Sequence, residues 1–207
     1  MSLLGIELLL AFIGASVVLC FAPGPDNIFV LTQSALKGVR VGVYTTLGLC
    51  CGLIVHTVLV SLGVSVVFQT SPLAFIGLKV AGACYLLYLA YKSVTASSIG
   101  LEASDKQPGS YFFTGLAMNL LNPKVAIFFL VFLPQFARVE YGDLAIQLLL
   151  LGLIFIACAF CVFSMIAYLS GFLKRALLQS TKLEKKINLL AAVVYISLAT
   201  NLIFTAQ

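Results

Sequence analysis

FAPGPDNIFV, at residues 21–30, places two prolines, a glycine and a carboxylate between two strongly apolar segments. Proline lacks a backbone N–H donor and clashes with the carbonyl group four residues earlier, so it interrupts an α-helix. A helix break and an acid are both costly inside a membrane. The meaning of this stretch therefore depends on the kind of chain that surrounds it.

The composition predicts a membrane protein that crosses the bilayer several times. Of the 207 residues, 62% are hydrophobic and 9% are charged, and the mean hydropathy is +1.14. A soluble domain carries about a quarter charged residues, so this chain could not cover a water-facing surface. It also lacks phosphate-loop, catalytic-triad and nucleotide-binding motifs. These features argue against an enzyme and against an ATP-driven pump.

Continuous apolar runs predict six transmembrane helices, since each crossing needs about 20 apolar residues. The helices are expected at residues 3–22 with a continuation to 36, 41–68, 72–92, 111–133, 144–171 and 186–205. The N-terminal run is the first span rather than a signal peptide, because it contains Glu7 and has no basic region. The Ser- and Gly-rich segment 93–110 is predicted to be a linker between two halves, 1–92 and 111–207, of a single transmembrane domain.

The basic residues predict the orientation of the chain. Cytoplasmic loops of membrane proteins are enriched in lysine and arginine. Nine of the twelve basic residues follow the first, third and fifth spans, whereas the opposite side carries only Arg138. Those three connections, including the linker, are therefore predicted to be cytoplasmic, with both termini outside. The same distribution accounts for the net charge of +5 without a nucleic-acid partner.

Three spans in each half predict that the second half is inverted relative to the first, as in many secondary transporters. The stretch LLNPKVAIFFLVFLPQF, at 120–136, places Pro123 in the fourth span where Pro25 lies in the first. Matched breaks point to a binding site, with the N–H groups that follow them aimed into a polar cavity. Simple capping is the alternative, because Asn and Asp are good N-caps and proline suits the first helical turn.

Asp26 and Lys124 follow the two breaks and are the main candidates for a polar site. A lysine in the first turn opposes the helix dipole and is costly at the bilayer centre, so a negative group should lie near it. That group is either Asp26, in a structural ion pair, or the carboxylate of a substrate. If the chain transports a substrate with a positively charged group, that group and a proton would compete for Asp26, which is the simplest basis for antiport.

Four further residues within the predicted spans are candidates for the site. Lys79 either extends towards the membrane surface or faces the cavity and pairs with Asp26. His56, the single histidine, either relays protons or packs as a hydrogen-bonded side chain. Tyr85, like Tyr195, either lines the cavity or packs in the core.

Two other membrane functions fit part of the pattern. A thiol–disulfide electron carrier would place a cysteine beside each break, and Cys20 precedes Pro23, but no cysteine lies near Pro123. A metal-ion exporter would need a cluster of Asp, Glu, His or Cys, whereas the spans offer one acid near the break and one histidine. The six cysteines lie in apolar segments and are expected to be free thiols. No metal or other cofactor is predicted.

The motifs PGPD at 23–26 and GLAMNLLNPKVAIFFLVFLPQF at 115–136 resemble the LysE/RhtB family of bacterial amino-acid exporters, as does GLKVAGACYLLYLAYKS at 77–93. The resemblance implies a secondary exporter in the bacterial inner membrane, which moves amino acids or close analogues out of the cytoplasm, usually driven by the proton gradient. It is compatible with a homodimer. The motif residues that it assigns to the site are Pro23, Gly24, Pro25, Asp26, Asn122, Pro123 and Lys124. The expected fold is an all-α membrane protein of two inverted three-helix repeats, with broken first and fourth helices.

Overall fold

The computed structural model describes residues 5–70, 72–95, 108–172 and 181–204, and within these ranges the chain is helical, with no β-strand. The predicted all-α fold is thus confirmed. The helices are α1 (Ile6–Phe21), α2 (Pro25–Lys37), α3 (Val39–Thr70), α4 (Pro72–Thr95), α5 (Pro108–Leu120), α6 (Pro123–Ile127), α7 (Leu144–Tyr168) and α8 (Thr181–Phe204).

The helices are those of a protein that crosses a membrane several times. Three segments are individually long and apolar enough to span a bilayer, namely Val39–Gly63, Leu144–Tyr168 and Lys185–Phe204. Two bent pairs also qualify when each pair is taken as one span, which gives up to five spans in the described part of the chain. Helix α4 occupies the predicted third span without being one of these five. A multi-pass membrane protein is confirmed, and the count of six spans in inverted repeats stays a prediction.

Both predicted breaks are present. Helices α1 and α2 meet at 59°, and Ser110–Leu120 meets Pro123–Phe136 at 50°. In each case the second helix begins at a proline, which fixes φ and needs no N–H partner at the first helical position. The first and fourth spans are therefore broken at Pro25 and Pro123, and each break leaves helix ends inside the protein.

The fourth span is less regular after its break than the sequence predicts. Helix α6 ends at Ile127, a π-helical turn follows at Phe128–Phe132, and a 3₁₀ turn occupies Leu133–Phe136. Pro134 accounts for this change, because its ring would clash with the carbonyl group four residues earlier in a continuous α-helix. The Gln135 side chain donates to the Val131 carbonyl oxygen at 2.8 Å, which supplies a partner within the distorted segment.

The core is built from helices of both halves. Helix α3 packs along α5 and α7, α4 packs along α8, and α1 packs on α7. Glycines allow the closest of these contacts: a Cβ atom at Gly48 would collide with the Phe112 carbonyl oxygen, and one at Gly115 with the Thr45 carbonyl oxygen. Since α3 and α5 lie on either side of the linker, their backbone contact joins the two halves directly.

The ends of the predicted spans shift by a few residues. Helix α4 continues to Thr95 and α5 begins at Pro108, so the predicted linker is helical at both of its ends. Its central residues, 96–107, lie outside the described residues. Helix α7 ends at Tyr168, with a further helical segment at 170–172, and α8 begins at Thr181 rather than at residue 186.

Candidate functional site

The first break buries a carboxylate at the start of α2. Asp26 lies in the first turn of this helix and is 4% exposed. Gly24 is the N-cap residue and is extended, and no side chain caps the helix. Asn27 is also buried, and its Nδ2 donates to the Cys20 carbonyl oxygen at 2.6 Å. Capping by Asp26 or Asn27, the simpler alternative for this break, is therefore not what the structure shows.

The second break is capped, and its cap reaches the first break. Asn122 Oδ1 accepts from the Lys124 backbone N–H at 3.0 Å, as predicted for an N-cap. The same side chain donates through Nδ2 to Asp26 Oδ2 at 2.9 Å. Asn122 thus binds one helix end with its oxygen and the acid of the other half with its nitrogen. The two breaks therefore form one site.

Lys124 binds the end of α1 rather than Asp26. Its Nζ donates to the Ala22 carbonyl oxygen at 2.9 Å and to the Leu19 carbonyl oxygen at 3.3 Å. It also lies 5.8 Å from the centre of the Tyr195 ring, within cation–π range. The structural Asp26–Lys124 ion pair, one of the two alternatives for this lysine, is therefore not formed in this conformation.

The electrostatic reason for this arrangement is the C-terminus of α1. A helix end leaves carbonyl groups without intrahelical partners and carries the negative end of the dipole. The break at Pro23 and Pro25 creates such an end inside the protein, and Lys124 neutralises it. Gly24 lies beside this contact, since a Cβ atom there would touch Lys124 Nζ at an ordinary van der Waals distance of 3.4 Å.

A small cavity lies where the two breaks meet. Its volume is about 20 Å³, which suffices for a water molecule but not for an amino acid. Asp26, Asn27, Asn119 and Lys124 provide its polar lining. Asp26 Oδ1 and Asn119 Oδ1 are buried and make no hydrogen bond with the described groups. The cavity thus presents two acceptor oxygens without donors, beside one cation.

Asn119 is the site residue that the sequence analysis missed. It is 1% exposed and lies on the last turn of α5, one helical turn before Asn122. Its carbonyl oxygen lies 3.3 Å from His56 Nε2. The motif GLAMNLLNPK indicates this residue, because residues three apart share a helix face. The sequence prediction named only Asn122, which precedes the proline.

The other four candidates lie outside the cavity lining. His56 is buried, with its ring 5.8 Å from that of Phe129, and contacts the end of α5 through Asn119. This arrangement matches the packing alternative for His56. Lys79 and Tyr85 lie on α4 and are partly exposed; neither is among the described residues that line the cavity. Tyr195, rather than Tyr85, contacts the site through Lys124.

The two alternative chemistries find little support in the site. All six cysteines are free, as predicted, and Cys20 lines the cavity. No group of three or more His, Cys, Asp or Glu residues that could hold a metal ion occurs in the ranges that the structure covers. Neither a second redox cysteine at Pro123 nor a metal-binding cluster accompanies the two breaks.

Sequence comparisons agree with a transporter. Residues 17–206 match the family described as LysE type translocator. The chain is 30% identical to the uncharacterized membrane protein YrhP of Bacillus subtilis over 91% of this chain and 94% of the relative. It is 36% identical to a homoserine/homoserine lactone efflux protein of Salmonella typhimurium, over 69% and 70% of the two chains. A leucine efflux protein of Klebsiella pneumoniae is 28% identical over 93% of each chain. No solved structure matches.

Proposed function

Because this chain belongs to the family of LysE type translocators, we propose that it exports amino acids or close analogues from the cytoplasm as a secondary transporter. Relatives named for the efflux of homoserine or homoserine lactone and of leucine support this class of substrate. The chain is a membrane translocator and not an enzyme. We further propose that it lies in the bacterial inner membrane, with both termini outside as its basic residues predict.

The observation that carries the proposal is the hydrogen bond between Asn122 and Asp26. It brings the broken first and fourth spans together around one cavity, the arrangement in which secondary transporters bind their substrates. Nonhelical backbone and a buried acid are tolerated in a membrane protein where they line such a cavity. Their joint presence supports a transport site rather than a purely structural defect.

The polar groups of the cavity match the two charges that every amino acid carries. Asp26 Oδ1 and Asn119 Oδ1 are acceptors without donors, and an ammonium group supplies donors. The start of α2 has no side-chain cap, so its first N–H groups suit a carboxylate. Lys124 Nζ can strengthen that interaction if it releases the carbonyl groups of α1 and binds the substrate carboxylate instead.

Asp26 also provides a simple means of coupling. A carboxylate that binds a substrate ammonium on the cytoplasmic side can accept a proton on the outer side once the substrate leaves. Return of the protonated form would then carry a proton inward for each substrate exported. In both forms the carboxylate is neutralised, which lowers the cost of its burial.

Transport requires the cavity to open, because about 20 Å³ does not hold an amino acid. We take this structure as a closed conformation in which Asn122 and Lys124 tie the two halves together. Opening on either side would separate these contacts. A homodimer is not needed for this cycle and stays a prediction.

The test is efflux from bacterial cells that are fed dipeptides, which load the cytoplasm with free amino acids. We expect the wild-type protein to release at least one amino acid several-fold faster than a vector control. Asp26→Asn should reduce release to the control rate, since an amide can neither exchange protons nor pair with an ammonium. Asp143→Asn is the matched control: Asp143 caps α7 at an exposed position, and asparagine caps equally well.

Two results would contradict the proposal. Wild-type release equal to that of the vector, with the protein shown to be in the membrane, would exclude export of the amino acids tested. Unchanged release by Asp26→Asn would exclude the acid from coupling. In reconstituted vesicles, a proton gradient should accelerate the transport of the wild type, and a protonophore should remove that acceleration.

A further inference from the structure

The cavity has an apolar wall in addition to its polar lining. Besides Leu19 and Cys20 at the end of α1, five apolar side chains complete the lining and belong to both halves of the chain: Leu53, Val125, Phe128, Phe155 and Phe163. All five are buried. They come from α3, α6, the π-helical turn and α7, so the wall is formed only when these elements pack together.

The aromatic part of this wall is held in place by ring contacts. The Phe128 and Phe155 rings are 4.8 Å apart, and the Phe129 ring packs edge-on against Phe155 at 5.3 Å. Aromatic pairs at such distances stabilise a fixed arrangement. The π-helical turn before Pro134 therefore positions the phenylalanine rings that contact α7.

The charges of the cavity match the backbone groups of an amino acid and leave no charge for its side chain. Among the described lining residues, Asp26 is the single carboxylate and Lys124 the single ammonium. The proposed site uses the first for the substrate ammonium and the second for its carboxylate. A lysine or aspartate substrate would bring a third charge into a buried space without a counterion, which is strongly unfavourable.

Hydroxyl groups are also missing from the part of the lining that the structure describes. A substrate hydroxyl would lose its hydrogen bonds to water without a new partner on the apolar wall, whereas an aliphatic side chain gains from leaving water. We propose that the side-chain pocket of this exporter is the wall formed by Phe128, Phe155 and Phe163, and that it selects neutral amino acids with aliphatic side chains. This inference rests on the proposed export of amino acids.

The first test compares substrates. Cells that express the wild-type protein or carry the vector are loaded with glycyl dipeptides of leucine, valine, methionine, threonine, lysine and aspartate. Released amino acids are measured relative to their intracellular pools. We expect release of leucine, valine and methionine several-fold above the vector rate, and release of threonine, lysine and aspartate at that rate.

This test distinguishes a failure of the aliphatic pocket from a failure of amino-acid export. Fastest release of threonine, lysine or aspartate would overturn the aliphatic pocket while leaving amino-acid export in place. Release of all six at the vector rate, with the protein present in the membrane, would overturn the proposed export of these amino acids and the inference with it. Preferential release of the three aliphatic amino acids would support both.

The second test changes the wall itself. Phe155→Leu removes part of a ring that lines the cavity, so larger side chains should fit better, and the ratio of phenylalanine to leucine release should rise several-fold. Phe136→Leu is the matched control, because the Phe136 ring packs on Phe12 and Phe132 at 5.1 Å outside the cavity lining. The same ratio in wild type and Phe155→Leu, at equal protein levels, would exclude this wall as the side-chain pocket.

Discussion

At the scale of single residues, the main result is the separation of the two charges at the breaks. Asp26 is bound by the neutral amide of Asn122, and Lys124 by carbonyl groups at the end of α1. An ion pair between them would satisfy both charges and leave little for a substrate. With neutral partners, each charge is stabilised in the closed state and can still exchange its partner for a charged group of the substrate.

Loss of the Lys124 ammonium should therefore destabilise the closed protein. Lys124→Met leaves the Ala22 carbonyl oxygen without this donor, whereas the Leu19 carbonyl oxygen still accepts from the Ala22 N–H at 3.2 Å. An unpaired buried polar group costs about 1–3 kcal/mol. We expect a lower midpoint of thermal unfolding in detergent than for wild type. Lys186→Met, at an exposed position of α8, should leave the midpoint unchanged. Equal midpoints for wild type and Lys124→Met would show that the α1 carbonyl groups do not depend on this lysine.

At the scale of elements, the contact between α3 and α5 decides how closely the two halves approach. Gly48 and Gly115 lie against backbone atoms of the opposite helix. Small residues of this kind are the usual means of bringing membrane helices together, because lipid provides no hydrophobic driving force between them. The sequence contains many glycines in its spans, but their spacing does not reveal which of them meet another backbone.

Two glycines of α3 provide a matched pair for testing this contact. Gly48→Ala should lower the midpoint of thermal unfolding in detergent, since the new methyl group would overlap the Phe112 carbonyl oxygen and push α5 away. Gly63→Ala should be neutral or slightly stabilising, because no described atom lies within 4 Å of its new Cβ and alanine favours a helix by up to about 1 kcal/mol. Equal effects of the two substitutions would contradict the close approach.

At the scale of the whole molecule, the two halves share one core and one cavity. Helix α3 packs on α7 and α4 on α8, so each of these pairs takes one member from each half. This is the pairing expected if an inverted repeat relates the halves, and it places both breaks at their common interface. The direction in which the cavity opens then depends on the orientation of the chain in the membrane.

The predicted orientation can be tested by thiol labelling in a variant without the six native cysteines. In that background, a membrane-impermeant thiol reagent should label Arg138→Cys in intact cells and Lys92→Cys only after permeabilisation, since the basic residues place them on opposite sides. Labelling of Lys92→Cys in intact cells would reverse the orientation. The cysteine-free parent should still export amino acids; loss of export at normal protein levels would favour thiol–disulfide chemistry instead.

Sequence by itself determined the class of the molecule and the place of its breaks. Apolar composition requires a membrane protein, and the prolines of PGPD and NPK favour the start of a new helix over the continuation of the preceding one, because proline lacks an N–H group and fits only the first helical turn. It also singled out Asp26 and Lys124, since charges in apolar spans are rare and need a reason.

Tertiary structure alone decided the partners of these residues. Local sequence does not state that Lys124 reaches the end of α1, that Asn122 joins Asp26, or that Asn119 belongs to the site, because these contacts link segments about a hundred residues apart. Opposite charges suggested an ion pair, but helix ends and amides are equally able to satisfy a charge. Which partner is chosen depends on the packing that brings the two halves together.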